Sequence, residues 1–223
     1  MTMQVAMVGT DGIVLASDTC WNLTTAEGYY GTRQTSSSSK VIVGGGGVAA
    51  IALARNMETS AEIARLIMSE MNVPQWSGDP VERMEVLARG VLSTAGGRDD
   101  VQLVVVLSRP KLCLFVVESR GFGSGDLRVT CRPIQDKIVC GDVANSAYFW
   151  AQKYYRRTDT NYLIQLAAQL ITDAHTLNPT FVDGLELVIC GQDGVRRLED
   201  AENSALREGA ERRTEQIAAI FRA

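Results

Sequence analysis

Apolar and polar residues alternate over much of the chain with the period of two that is typical of half-buried β-strands. The first two alternating stretches cover residues 3–9 and 13–18, and a Thr-Asp-Gly turn separates them. Later stretches of the same kind predict strands at 28–35, 41–54, 101–107, 111–118, 127–131, 137–140, 185–190 and 195–198. Glycines 44–47 interrupt the 41–54 stretch, which predicts a tight turn between two strands.

Helical periodicity, with apolar residues every third or fourth position, alternates with these strands in blocks. It predicts helices at 58–71, 80–93, 144–155 and 160–177, and Asp79-Pro80 supplies an N-cap and a first helical residue for the second of them. A further, highly charged helix is predicted from about 201 to 221. Its apolar stripe is only approximate, which fits either a solvated cap or an oligomer contact.

The order of these elements is strands, two helices, strands, two helices and two strands. Two helix pairs that cover two packed sheets make an α+β fold, a four-layer αββα sandwich. A chain of 223 residues is long enough to bury a substantial core. No segment has the composition of a linker, so we expect a single domain over residues 1–223, with 201–223 as a C-terminal helical extension.

The start of the chain carries the first candidate chemistry. Removal of Met1 would leave Thr2 with a free α-amine at the end of a buried strand. In N-terminal threonine hydrolases the hydroxyl of such a residue attacks the substrate, and its own amine serves as the base. The pKa of a free α-amine is about 8, and a nearby cation lowers this pKa toward the pH at which the enzyme works.

The stretch from Thr2 through Asp18-Thr19 resembles the start of a mature proteasome β-subunit and of the bacterial HslV protease. The interval from Thr2 to Asp18 matches theirs, and Lys40, just before Val41-Ile42, is the best match for the lysine that these proteins place ahead of a buried strand. Because Lys40 comes late, the loop from Cys20 to Ser39 carries an insertion. The resemblance implies that Thr2 is the nucleophile, that Lys40 supplies positive charge and that Asp18 pairs with Lys40.

The same resemblance places the backbone donor of an oxyanion hole at Ala54. The family has glycine there, where the backbone must approach the substrate closely, although an alanine amide can also donate. In the second half, the first supporting serine position falls on Cys140 or Gly141, and the supporting aspartate position falls on Asn178.

The second supporting serine falls on Phe181, so the back half of the site differs from the family pattern. Asp142 and Asp183 are alternative partners. These differences and the insertion resemble the divergent bacterial homologues of the Anbu or betaproteobacterial type. An α-type subunit is disfavoured, because that type carries a helix before the first strand.

The resemblance implies a threonine-type peptidase subunit of a self-compartmentalising homo-oligomeric ring or double ring. Peptide or unfolded protein would be the substrate, no cofactor is implied, and an ATPase or activator is a possible partner. Two alternatives stay open. One is a structural ring subunit with a weak or silent site, and the other is a different N-terminal-nucleophile amidase that acts on a small molecule.

Composition narrows the function further. The net charge is −4 and no basic run occurs, which argues against nucleic acid as a partner. No apolar stretch reaches the length of a membrane span and no signal peptide is evident, so we expect a cytoplasmic protein. The five cysteines have no paired spacing, which indicates reduced thiols and no metal site. His175, the single histidine, ends a predicted helix and is a weak candidate for a catalytic base.

Overall fold

The computed structural model describes residues 2–24, 30–35, 39–44, 46–55, 57–71, 78–94, 101–121, 127–141 and 144–222. The expectations that concern Met1, Asp142 and parts of the insertion at 25–29 and 36–38 lie outside these residues.

Within the described residues the chain forms twelve strands and five helices. The strands are β1 Gln4–Val8, β2 Gly12–Ser17, β3 Cys20–Thr24, β4 Tyr30–Thr35, β5 Val41–Gly44, β6 Ala49–Arg55, β7 Val101–Leu107, β8 Cys113–Gly121, β9 Leu127–Ile134, β10 Lys137–Cys140, β11 Glu186–Gly191 and β12 Gly194–Arg197. The helices are α1 Met57–Met71, α2 Pro80–Thr94, α3 Ala144–Tyr154, α4 Thr160–Leu177 and α5 Asp200–Ile220.

Two five-stranded antiparallel sheets form the centre of the molecule. Their strand orders are β10-β1-β2-β11-β12 and β5-β6-β7-β8-β9, and β3 pairs with β4 in a separate two-stranded sheet. Alternation along β2 shows how the first sheet acquires two apolar faces. Val14 and Ala16 point toward the helices, whereas Ile13 and Leu15 point into the core between the two sheets.

The helices cover the outer faces of both sheets. The apolar stripe of α4, with Leu163, Ala167 and Leu170, packs with α3 on the first sheet. The stripe of α1, with Ile63 and Ile67, packs with α2 on the second sheet. The predicted αββα sandwich is therefore confirmed, with one core between the sheets and one core under each helix pair.

One local expectation needs correction. Cys20 was expected in a loop, but it is the buried first residue of β3. Its partner β4 falls within the strand predicted at 28–35, so only β3 was missed, and the register of the hairpin shifts between Asn22 and Thr24. The expected charged helix is α5, but its apolar stripe packs only in its first half. Ala210 is buried, whereas Ile217 and Phe221 are exposed.

Candidate functional site

Thr2, Asp18 and Lys40 meet at one end of the sandwich because of how three strands are paired. The β1–β2 hairpin is antiparallel with Gln4 opposite Ser17, so the beginning of β1 lies beside the end of β2. The backbone N–H of Asp18 accordingly donates to the carbonyl of Met3, at 3.0 Å. Lys40 precedes β5, the edge strand of the second sheet, and reaches the other two residues from across the sandwich.

The ammonium group of Lys40 joins the three side chains. Its Nζ lies 2.8 Å from Oδ2 of Asp18 and 3.3 Å from Oγ1 of Thr2. Lys40 and Asp18 are fully buried, and Thr2 is 5% exposed. A lysine on a solvated strand end would not be shielded in this way, so the side chain has exchanged water for these two partners.

The carboxylate of Asp18 receives hydrogen bonds on both oxygens. The amide of Met3 donates to Oδ1 at 2.7 Å, and the amide of Cys20 donates to Oδ2 at 3.1 Å, beside Lys40. Burial raises the pKa of Asp18 above its ordinary value, while Lys40 and the two amides act in the opposite direction. Because every one of these partners is a donor, the geometry fits the ionised carboxylate.

Gly141 lies directly against the backbone of Thr2. Its φ is +121°, and a Cβ at this position would be 1.7 Å from the carbonyl oxygen of Thr2 and 3.2 Å from Cα of Met3. The pairing of Cys140 with Gln4 between β10 and β1 sets this approach. Of the two predicted supporting positions, Gly141 is thus the one that the structure places beside the candidate nucleophile.

The strand that carries Ala54 points its amides in alternate directions. Leu53 donates its N–H to the carbonyl of Lys40 at 2.9 Å, toward β5. Alternation therefore directs the N–H of Ala54 toward β7, where Gln102 is the opposite residue, and it directs the N–H of Arg55 toward β5 again. Arg55 has a φ of +67°, which is rare for a residue with a side chain. Ala54 stays a prediction as oxyanion donor, and the alternation favours the neighbouring amide of Arg55.

Asn178 is the C-cap of α4. Its N–H lies 3.0 Å from the carbonyl of Ala174 and 3.1 Å from that of His175, and its own carbonyl accepts from the amides of Phe181 and Val182. These bonds close the helix end, and a supporting role for Asn178 stays a prediction. His175 is in the last turn of α4, where its Nδ1 is 2.6 Å from the carbonyl of Val182.

Sequence reasoning missed two features of the site. No sequence signal indicates that Arg55 adopts a left-handed conformation, since glycine or asparagine is the usual choice there. The backbone carbonyl of Asp183 accepts the amide of Thr19, at 2.8 Å. The sequence indicates Asp183 only as a candidate carboxylate. Its role as a backbone acceptor cannot be predicted from residue type, because every residue has a backbone carbonyl.

Three of the five cysteines are poor candidates for a nucleophile. All five are free thiols. Cys140 is next to Gly141, but burial raises the pKa of its thiol to about 12, and the same holds for Cys131 and Cys190. A thiol with so high a pKa is protonated at neutral pH and is a poor nucleophile.

Two further features concern the described parts of the chain as a whole, namely metal binding and membrane spanning. There, no group of three or more histidine, cysteine, aspartate or glutamate residues is arranged to hold a metal ion. None of the helices within those same ranges combines the length and the apolar character that crossing a membrane requires.

Comparison with known proteins identifies the fold. No protein-family model and no curated protein matches the chain. Among solved structures, an Anbu (ancestral beta-subunit) protein from Yersinia bercovieri matches with a TM-score of 0.67 at 16% identity, over 98% of this chain and 96% of that one. A Gly-1 mutant of Anbu from Hyphomicrobium sp. strain MC1 matches with a TM-score of 0.64 at 15% identity, over 100% of both chains. The structural neighbours are thus Anbu-type, proteasome-like subunits, and at this identity the likeness shows a shared fold.

Proposed function

We propose that this chain is a threonine-type peptidase subunit whose nucleophile is Thr2 after removal of Met1. One observation carries the proposal: a buried Lys40 ammonium lies 3.3 Å from the hydroxyl of Thr2 and 2.8 Å from the carboxylate of Asp18. A buried lysine is costly unless it is paired, and the pairing found here leaves it next to the hydroxyl of Thr2, which becomes the first residue once Met1 is removed. That arrangement is the one a threonine nucleophile needs.

In the proposed reaction, Oγ1 of Thr2 attacks the carbonyl carbon of the scissile peptide bond while the neutral α-amine of Thr2 accepts the hydroxyl proton. The carbon–nitrogen bond then breaks, and the same proton passes to the leaving amine. The acyl group remains on Oγ1 as an ester. A water molecule, deprotonated by the α-amine, attacks the carbonyl carbon of this ester, the bond to Oγ1 breaks to release the second product, and the α-ammonium returns the proton to Oγ1.

Lys40 contributes electrostatically to both steps. Its positive charge favours the neutral form of the α-amine and stabilises negative charge as it develops on Oγ1. Asp18 holds the ammonium in place and compensates its charge. The carbonyl oxygen of the substrate becomes an oxyanion in the tetrahedral intermediate. We assign the backbone amide of Arg55, the neighbour of Ala54, as the group that donates a hydrogen bond to this oxyanion.

The direct test is intact-mass measurement of the purified protein before and after incubation with a threonine-reactive electrophile. The first spectrum reports whether Met1 is removed. We expect the processed protein to gain the mass of one electrophile and a Thr2→Ala variant to gain none. A processed protein that gains no mass would count against the peptidase and in favour of a structural subunit with a silent site.

The silent-subunit alternative rests on one specific observation. Arg55 follows Ala54 at the strand end with a φ of +67°, and Ala54 itself stands where the resemblance places a glycine. A side chain at this point narrows the approach of a substrate backbone. The adduct experiment separates the two functions, because a silent subunit retains the fold but not the reactivity of Thr2.

We further propose that the chain assembles into a homo-oligomeric ring that acts on peptide or unfolded protein and works with an ATPase or activator. The neighbour from Yersinia bercovieri is described as an ancestral beta-subunit, which supports assembly. Sedimentation velocity is expected to show a homo-oligomer at micromolar concentration. Only monomer across a wide concentration range would contradict the proposal.

A further inference from the structure

The turn before β11 packs tightly against Thr19, the residue that follows Asp18. Both the amide and the hydroxyl of Thr19 donate to the backbone carbonyl of Asp183, at 2.8 and 3.3 Å. Gly184, with a φ of +71°, lies so close that a Cβ there would be 2.0 Å from Oγ1 of Thr19. Movement of this turn is therefore transmitted directly to Thr19.

Thr19 in turn links Asp18 to Cys20, whose amide is one of the groups that hold the carboxylate of Asp18. The amide of Cys20, the next residue, donates to Oδ2, the oxygen that also binds Lys40. A displacement of Thr19 moves both Asp18 and the amide of Cys20. The position of the Lys40 ammonium beside Thr2 accordingly depends on where the 183–184 turn sits.

A cation on α5 holds that turn. Nη1 of Arg207 lies 3.1 Å from Oδ1 of Asp183, and the amide of Gly184 donates to the same oxygen at 2.9 Å. Nδ1 of His175 is 3.6 Å from it. Nε of Arg207 also contacts Glu211, at 3.2 Å, so both edges of the guanidinium are engaged.

Helix α5 is itself anchored, which makes it a suitable support. Arg213 donates to the side chains of Gln165 and Gln169 on α4, at 3.0 and 2.9 Å. Thr214 bonds to Asp173 on the same helix, at 3.1 Å. The guanidinium of Arg207 thus projects from a fixed helix toward the turn.

We propose that Arg207 is a positioning residue for the reaction, acting through Asp183 and Thr19 on Asp18. The inference rests on the proposed function of Thr2. The Arg207 and Asp183 side chains are 32% and 18% exposed, so the pair is only partly screened by solvent. It fixes the position of the 183–184 turn relative to α5. A cavity of about 420 Å³ already borders Thr19, Gly184 and Arg207, so a shortened side chain at position 207 enlarges an existing space that is open to solvent.

The test compares Arg207→Ala and Arg207→Lys with a matched control, Arg212→Ala. Arg212 is on the same helix, its side chain is 66% exposed, and its partner is Glu208, one turn away. Two quantities are measured on the full chain: the rate at which the electrophile modifies Thr2 as a function of pH, and hydrogen exchange in the peptide that contains Thr19.

Arg207→Ala is expected to slow modification by roughly tenfold, since small misplacements of reacting groups have large kinetic effects. Its pH midpoint should rise, because a displaced Lys40 no longer lowers the pKa of the α-amine as strongly. The amide of Thr19 should exchange faster. Arg207→Lys should recover part of each effect, and Arg212→Ala should match the wild type.

Wild-type rates, pH midpoint and Thr19 exchange in Arg207→Ala would overturn the inference. Equal effects in Arg212→Ala would overturn it as well, because they would reflect a general loosening of α5. If the processed wild type is not modified at all, the proposed function fails, and exchange at Thr19 alone then decides whether Arg207 holds the turn.

Discussion

Replacing Lys40 by alanine is expected to slow modification of Thr2 and peptide turnover at neutral pH by at least about 100-fold, the scale associated with loss of a charged group that assists proton transfer and anion stabilisation. The variant lacks the cation 3.3 Å from Oγ1 of Thr2. The pKa of the α-amine should then return toward its free value of about 8, so that less of the base is neutral. Adduct formation and peptidase assays measured against pH provide the test.

The design of this experiment must separate chemistry from stability. Lys40→Ala leaves the buried carboxylate of Asp18 without its cation, which typically costs about 3–5 kcal/mol. Burial already raises the pKa of Asp18, so protonation offers partial relief. Circular dichroism identifies variants that fail to fold, and Lys40→Ala combined with Asp18→Asn removes both charges and is expected to restore stability without restoring activity.

Two further variants complete the set. Lys40→Arg should not rescue activity, because the planar guanidinium has a different shape and donor geometry from an ammonium group. Lys111→Ala removes an exposed lysine and should behave as the wild type. A Lys40→Ala protein that is folded and turns over peptide at the wild-type rate would rule out the proposed mechanism.

The parts of the site that the sequence predicts best are those set by local geometry. Thr2 and Asp18 flank a single hairpin, so strand lengths and one turn nearly determine their separation. Lys40 comes from the other sheet and follows an insertion. No periodicity places it beside Thr2, and only resemblance to a family indicated it.

The rest of the site depends on tertiary contacts that residue types do not encode. The direction of the Ala54 and Arg55 amides depends on which neighbouring strand accepts the hydrogen bond of the Leu53 amide, and this depends on the register of strand pairing. The left-handed conformation of Arg55 contradicts local preference, so sequence reasoning could not anticipate it. The contact of Arg207 with Asp183 joins α5 to a turn that is distant from it along the chain.

The fold was predicted more fully because its signals repeat. Alternation in both sheets and a 3.6-residue period in α1 to α4 each recur over many positions, which makes the layer order robust to local errors. The β3–β4 hairpin is the exception. Its second strand falls within the strand predicted at 28–35, but no pattern predicted β3 or its pairing with β4.

Gly141→Ala is expected to reduce modification of Thr2 by about 100-fold, the scale associated with a misplacement of about 1 Å. The added Cβ would lie 1.7 Å from the carbonyl oxygen of Thr2, so Gly141 and Thr2 must move apart until this overlap is relieved. A shift of Thr2 also displaces its hydroxyl from the ammonium group of Lys40. Alanine at a φ of +121° adds backbone strain to the overlap. Together these effects should destabilise the protein by about 1–3 kcal/mol, as overpacked sites do.

Gly191→Ala is the matched control for this prediction. Gly191 ends β11 in the same sheet, and a Cβ there would meet only the carbonyl oxygen of Asp11, at 3.9 Å. That variant should keep wild-type reactivity, with stability measured for both proteins by urea denaturation. Adduct formation is assayed at urea concentrations far below the midpoint of unfolding, so both variants are folded when their reactivity is compared. If Gly141→Ala reacts with the electrophile as fast as Gly191→Ala, then Gly141 does not hold Thr2 in its reactive position, and the contact between them affects packing alone.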